Sequence, residues 1–227
     1  MRITLVIAVL AAVQVWGNRL SADWYVPLCV ATAAVLLLIA RWDGLSWVDL
    51  GLGAGRARRG LRWGLVLVGA VIVVYLLGLA VPFTREAFLD ERAAGLTPEE
   101  LVYRVLVRVP LGTVLLEEIA FRGVVWAMVE RRRGHVWATA VSSVLFGFWH
   151  VAPARGLTRA NAAAEAIFGT GTTGVALSVA AAVVGTALAG VFFCELRRRS
   201  GSLIPPVALH CALNSAGYAL AWAVARW

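Results

Sequence analysis

Residues 101–129 read LVYRVLVRVPLGTVLLEEIAFRGVVWAMV. The run exceeds the roughly 20 predominantly apolar residues that cross a bilayer, yet Glu117, Glu118 and Arg122 sit in its middle. A charged side chain at the bilayer centre costs about 2.5–3.5 kcal/mol on insertion scales, so three of them would cost on the order of 8 kcal/mol before pairing. Something must offset that cost. At about 100° per residue, Glu118 and Arg122 share a helix face, which predicts an ion pair along the helix. Glu117 points about 100° away from Glu118 and is left to another helix or to water. The freer carboxylate is the better catalytic candidate, and intramembrane ionisable groups mark functional sites by default.

The rest of the chain supports a membrane setting. Of 227 residues, 61% are hydrophobic, 15% are charged and the mean hydropathy is +0.81, against about 25% charged in a soluble domain. A soluble fold is excluded. Apolar runs at 3–16, 25–40, 61–81, 101–129, 135–150, 174–196 and 203–224 predict an all-α, polytopic transmembrane bundle of about seven spans (six to eight), with active-site residues inside it.

The net charge of +8 does not signal nucleic acid, because the basic residues fall in short clusters between apolar runs. Every one of them is arginine. The clusters Arg56/Arg58/Arg59/Arg62, Arg131/Arg132/Arg133 and Arg197/Arg198/Arg199 occupy alternate connections, the positive-inside pattern, which places the N-terminus inside. The connection from Pro82 to Glu100 holds Glu86, Asp90, Glu91, Glu99 and Glu100 against Arg85 and Arg92, and suits the outer side. Met1-Arg2 and the apolar run after them resemble a secretory signal, but the residues after Trp16 (Gly-Asn-Arg-Leu-Ser-Ala-Asp) make a poor cleavage site, so a retained first span is expected. Cys29, Cys194 and Cys211 show no paired spacing and read as packing residues.

Residues 41–60, with Trp42, Trp47, Gly51, Gly53 and Gly55, read as a loop with interfacial aromatic anchors. From Ala162 to Leu196 the chain stays apolar for longer than one crossing needs, which predicts a re-entrant turn or tight hairpin before the sixth span. Pro205-Pro206 limits where the last helix begins. The polar stretch 84–100 is too short to fold alone. We therefore expect one domain over 1–227, with generic spans over 1–100.

Three histidines are present. His135 follows an arginine cluster and reads as a surface residue. His150 closes Phe146-Gly147-Phe148-Trp149-His150, and His210 shares a helix face with Asn214. Taken singly, a membrane histidine is more often a packing residue than a ligand. Glu117, His150, His210 and Asn214 together form the set that water-activating hydrolysis needs: a base, and imidazole or amide groups that orient water and stabilise an oxyanion. Glu117, His150 and His210 also supply the donors for a catalytic zinc. No HExxH or GxSxG is present, and Ser142, Ser143 and Ser215 have no triad setting.

Glu117-Glu118-(three residues)-Arg122, Phe146-(three)-His150 and His210-(three)-Asn214, in this order and in separate apolar runs, resemble the three motifs of the CPBP family, the CAAX protease and bacteriocin-processing membrane proteins, also called Abi. The resemblance covers approximately 101–225. It implies an intramembrane endopeptidase related to type II CAAX prenyl proteases, in a multi-pass protein of a bacterial cytoplasmic membrane, acting on a membrane-associated protein or peptide. Carried over by motif, Glu117 and His150 activate water, His210 and Asn214 stabilise the oxyanion, and Glu118, Arg122 and Phe146 give structural support. A metal-free mechanism is favoured over zinc, since Asn is a common oxyanion donor and a poor zinc ligand. Two other classes compete: a non-catalytic scaffold or bacteriocin-immunity protein, in which the motif residues are dispensable, and a proton-coupled transporter, for which the sequence shows no inverted repeat. Helical rise from the predicted span ends puts Glu118 near mid-membrane, His210 in the inner half and His150 in the outer half; one site requires them to meet.

Overall fold

The computed structural model describes residues 2–17, 22–85 and 88–226. Glu86 of the acidic connection and residues 18–21, part of the cleavage-site reading, lie outside the described residues. Among the described residues seven long helices carry the fold: α1 (Arg2–Gly17), α2 (Ala22–Trp42), α3 (Ala57–Ala80), α4 (98–133), α5 (135–149), α6 (Gly171–Ser200) and α7 (Ile204–Val224). Short helical turns fill the connections, and no strand occurs among the described residues.

α4 is the axle. It starts at a capping box, where the Thr97 hydroxyl accepts from the Glu100 N–H, the Glu100 carboxylate accepts from the Thr97 N–H, and Pro98 takes the first helical turn. Arg104–Val114 and Glu118–Val125 are wound as π-helix, a geometry concentrated at functional sites. Every residue from Leu116 to Val129 is buried, so the charges of this span face protein rather than lipid. Helix α4 ends at Gly134, whose φ of 78° and ψ of 171° interrupt the helical run Trp126–Trp149. Positive φ is cheap for glycine alone, and the break turns α5 back against α6.

Among the described residues four helices (α2, α3, α6 and α7) are long and apolar enough to cross a membrane by length and composition. The sequence predicts about seven crossings. Of the remaining three runs, α1 is shorter, α4 carries its charges mid-helix, and α5 is an arm of the broken helix. On α3 only Gly60, Gly64 and Val71 are buried, and Leu65, Val66, Val73, Val74 and Leu77 present an apolar outer face. Helix α3 begins at Ala57, so the last four residues of the stretch read as a loop, with Arg58 and Arg59 among them, are helical. The apolar stretch before α6 does contain a turn: the short helix Ala162–Phe168 stops at Gly169 (φ 79°). The last helix starts at Ile204 with the proline pair in its first turn.

The arginine clusters gather at one end. Asp43 pairs with Arg2, Arg131 and Arg132, Arg197 donates to the Asp49 carbonyl, and a Cβ on Gly201 would overlap Arg56. At the other end Trp222 and Arg226 donate to the Leu96 carbonyl, Asn161 donates to that of Leu89, and Asp90 pairs with Arg92.

Candidate active site

The glutamates meet α7 through one imidazole. Glu118 and Arg122 are fully buried and form the ion pair at 3.2 Å. His210 Nδ1 lies 2.8 Å from the same Glu118 oxygen, Oε1, and His210 Nε2 lies 3.8 Å from Glu117 Oε2. Arg122 is held between the rings of Phe146 and Phe193, its guanidinium carbon 3.8 and 4.8 Å from their centroids. Desolvated cation–π contacts of this kind are worth about 2 kcal/mol or more. Phe193 also stacks on His210 at 5.3 Å. Breaking a buried pair by removing one partner costs about 3–5 kcal/mol, so this cluster holds α4, α5, α6 and α7 together at their centre.

Glu117 faces the other way. Its Oε1 accepts a hydrogen bond of 2.9 Å from the Trp149 indole N–H, and its Oε2 is buried without a hydrogen-bond partner among the described residues. His150, next to Trp149, places Nδ1 2.8 Å from the Phe146 carbonyl. A carbonyl only accepts, so Nδ1 carries the proton and the neutral ring keeps its lone pair on Nε2. Glu117, Trp149, His150 and Asn214 line one cavity of about 700 Å³.

The structure therefore brings the four sequence-selected residues into one neighbourhood, in two arrangements. Glu117, His150 and Asn214 share the cavity wall, while His210 sits behind it, bridging Glu117 to Glu118. The depth mismatch disappears. Ser200, Ser202, Leu203, Pro205 and Pro206 are all buried, and the Leu203 N–H donates to the Gly51 carbonyl. Helix α7 thus starts inside the molecule, not at the membrane surface from which its rise was counted.

Sequence reasoning missed Trp149 and Phe193. The indole was detectable in principle: a Trp N–H in an apolar run needs an acceptor, and Glu117 needed a donor. The first hundred residues are also more than generic spans. Gln14 donates to the Trp149 carbonyl at 2.8 Å, and Val13, Tyr25 and Cys29 line the cavity. All three cysteines are free.

The zinc alternative names Glu117, His150 and His210. Among the described residues no three His, Cys, Asp or Glu side chains converge closely enough to hold a metal ion, so no step below is routed through one.

The structure thus shows a helical bundle of membrane-protein character in which a buried mid-helix carboxylate, Glu117, lines an internal cavity together with His150 and Asn214. The family comparison makes this specific. Residues 98–216, just over half of the chain, match the family described as type II CAAX prenyl endopeptidase Rce1-like. The chain belongs to that family, a family of intramembrane proteases, and is an integral membrane protein. No curated protein and no solved structure matches significantly.

Proposed function

We propose that this protein hydrolyses a peptide bond of a membrane-associated protein or peptide by water that Glu117 and His150 activate, within a bundle that crosses the membrane about seven times. The observation that carries the proposal is the Glu117 carboxylate on the cavity wall, fixed by the Trp149 N–H on Oε1 and without a hydrogen-bond partner on Oε2 among the described residues.

In this reading the Glu117 carboxylate takes a proton from water held in the cavity between it and His150, and the water oxygen adds to the substrate carbonyl carbon. The carbonyl oxygen becomes an oxyanion. Asn214 stabilises it from the cavity wall as amide donor, and His210 does so from behind that wall, as imidazolium beside Glu117. Glu118 supports this role: accepting from Nδ1–H, it lets His210 carry a second proton on Nε2, and with Glu117, Glu118, Arg122 and His210 all charged the buried cluster sums to zero. Glu117 then returns its proton to the amine as the carbon–nitrogen bond breaks. Glu118, Arg122, Phe146 and Phe193 position His210 without touching substrate.

The test is cleavage of a membrane-anchored peptide library by protein purified in detergent. Wild type is expected to cleave and Glu117→Ala to be inert, and equal behaviour of the two would end the proposal. Activity in chelator, with metal analysis of the same sample, decides the role of zinc.

A further inference from the structure

We propose that Gln14 of α1 is a positioning residue of the site: its side-chain amide anchors the peptide unit that carries Trp149 and His150, and so sets the indole N–H on Glu117 and the imidazole at the cavity wall. The catalytic half of this statement rests on the protease reading, and the anchoring half does not.

The need for an anchor arises at the end of α5. That helix stops at Trp149, and the chain continues through His150 into the short helix Val151–Ala154. Across the junction the backbone stays close to helical: His150 has φ −86° and ψ 0°, and its carbonyl accepts from the Ala154 N–H at 3.0 Å. By the same pattern the Trp149 carbonyl would accept from residue 153. Residue 153 is proline, which has no N–H to give. A backbone carbonyl deprived of its helical donor inside a membrane bundle must find another donor.

Gln14 supplies it. Its Nε2 donates to the Trp149 carbonyl at 2.8 Å, and because a carbonyl only accepts, the amide turns its NH₂ toward it. From Leu5 to Val15 this is the one side chain that is not apolar, and it is the one glutamine of the chain. Within an apolar helix such an amide is placed by a hydrogen bond to a neighbouring helix. Val6, Leu10 and Gln14 are spaced four apart and share a face of α1. Val6 and Leu10 are buried in the core on which Trp149 packs, so the apolar packing that seats α1 also brings Gln14 to the end of α5.

The Trp149 carbonyl and the His150 N–H belong to one planar peptide unit. Its N–H donates to the Gly147 carbonyl at 3.0 Å and its oxygen accepts from Gln14, so the unit is held at both ends. On one side of it hangs the indole that donates to Glu117 at 2.9 Å, and on the other the imidazole whose Nδ1 lies 2.8 Å from the Phe146 carbonyl. Gln14, Trp149, His150 and Pro153 line the cavity with Glu117. Gln14 lies far before residues 98–216, so the stretch that defines the family takes this brace from a helix outside it.

The experiment pairs Gln14→Met with Pro153→Ala. Methionine keeps the length of glutamine without the amide, and alanine at 153 restores the backbone N–H that the helical pattern calls for. In detergent-purified protein carrying isotopically labelled tryptophan, the Trp149 indole signal is identified by NMR from its loss in Trp149→Phe. Gln14→Met is expected to speed hydrogen exchange of that indole by about tenfold, and Gln14→Met/Pro153→Ala to restore most of the protection. In the cleavage assay kcat should fall about tenfold in Gln14→Met with KM little changed, and recover in the double variant. Indole exchange at the wild-type rate in Gln14→Met, or a loss that Pro153→Ala does not relieve, overturns the proposal. Should Gln14→Met fail to fold, the glutamine amide is read directly in the unsubstituted protein and in Pro153→Ala. Exchange at the rate of a free glutamine side chain in the unsubstituted protein overturns the proposal, and protection that Pro153→Ala relieves supports it. Indole exchange that responds as expected in a protein that cleaves nothing keeps the anchor and removes the protease reading.

Discussion

Glu117 and Glu118 are neighbours in the chain and share a helix, yet they occupy opposite kinds of space. Glu118 is enclosed by Arg122, His210 and aromatic rings, with no exposure at all. Glu117 accepts from one neutral donor, Trp149, on Oε1, holds Oε2 within 3.8 Å of His210, and lines a cavity. The contrast follows from helix geometry: adjacent side chains point about 100° apart, so one helix can hold an enclosed charge and a charge beside a cavity next to each other. His210, in contact with Glu118 and within 3.8 Å of Glu117, couples the two environments.

The largest expected effect separates the pair by function. Glu117→Gln keeps the shape and the Trp149 acceptor but removes the base; general-base removal is worth about 10² to 10⁴-fold, and we expect kcat/KM to fall about 10³-fold while the thermal unfolding midpoint in detergent stays within a few degrees of wild type. A variant that lost its fold would erase the distinction between the two glutamates.

The complementary experiment acts on the closed side. Arg122→Met removes the counter-charge but keeps an unbranched side chain between Phe146 and Phe193, leaving Glu118 buried with His210 alone. The loss of one partner from a buried pair costs about 3–5 kcal/mol. Unfolding in detergent should shift accordingly, and Glu118→Gln/Arg122→Met should recover part of the loss, because both charges are then gone. If the double variant is no better than Arg122→Met, the cluster is not held by charge pairing.

Much of this arrangement is legible in the sequence, for identifiable reasons. The apolar runs specify an all-helical membrane protein by length, and the motif spacing selects Glu117, His150, His210 and Asn214. The Glu118–Arg122 pair is local, so helical periodicity reaches it. What periodicity cannot reach is anything that depends on one helix meeting another. Trp149 to Glu117, Phe193 to Arg122, and Gln14 to the Trp149 carbonyl each join distant segments. Span ends drawn from hydropathy also assume that every helix starts at the surface, and α7 does not. The Gly134 break is a single positive-φ residue directly after an arginine cluster, read as an interface and not as the point where α4 turns into α5.

A smaller effect sharpens the view of Glu117. Trp149→Phe retains the ring but deletes the N–H that fixes Oε1. A hydrogen bond to a charged group contributes about 1.5–3 kcal/mol, so kcat should fall roughly 10- to 100-fold with KM little changed, since substrate binding does not use this bond. A rise in KM with unchanged kcat would make Trp149 a wall of the cavity and not a positioning residue for the base.

The smallest effect lies at the arginine end, where charges meet water. Hydrogen bonds from the Ser46 hydroxyl and backbone N–H to Asp49 hold its carboxyl below the usual carboxylate range. A depressed carboxyl contributes stability that is present above the unfolded value, about 3.9, and is lost as pH falls through the lower folded value. Asp49 is exposed, so screening keeps the contribution small. The difference in unfolding midpoint between wild type and Asp49→Asn should therefore be slight and constant from about pH 5 to 8, and should shrink only below about pH 4. Cleavage rates should not follow it, because Asp49 lies on the closed side of the molecule and Glu117 works on the open one. A variant at Asp49 that changed catalysis as strongly as Trp149→Phe would mean that the two ends of the bundle are mechanically linked through α4, and the separation between the closed cluster and the open cavity would no longer hold.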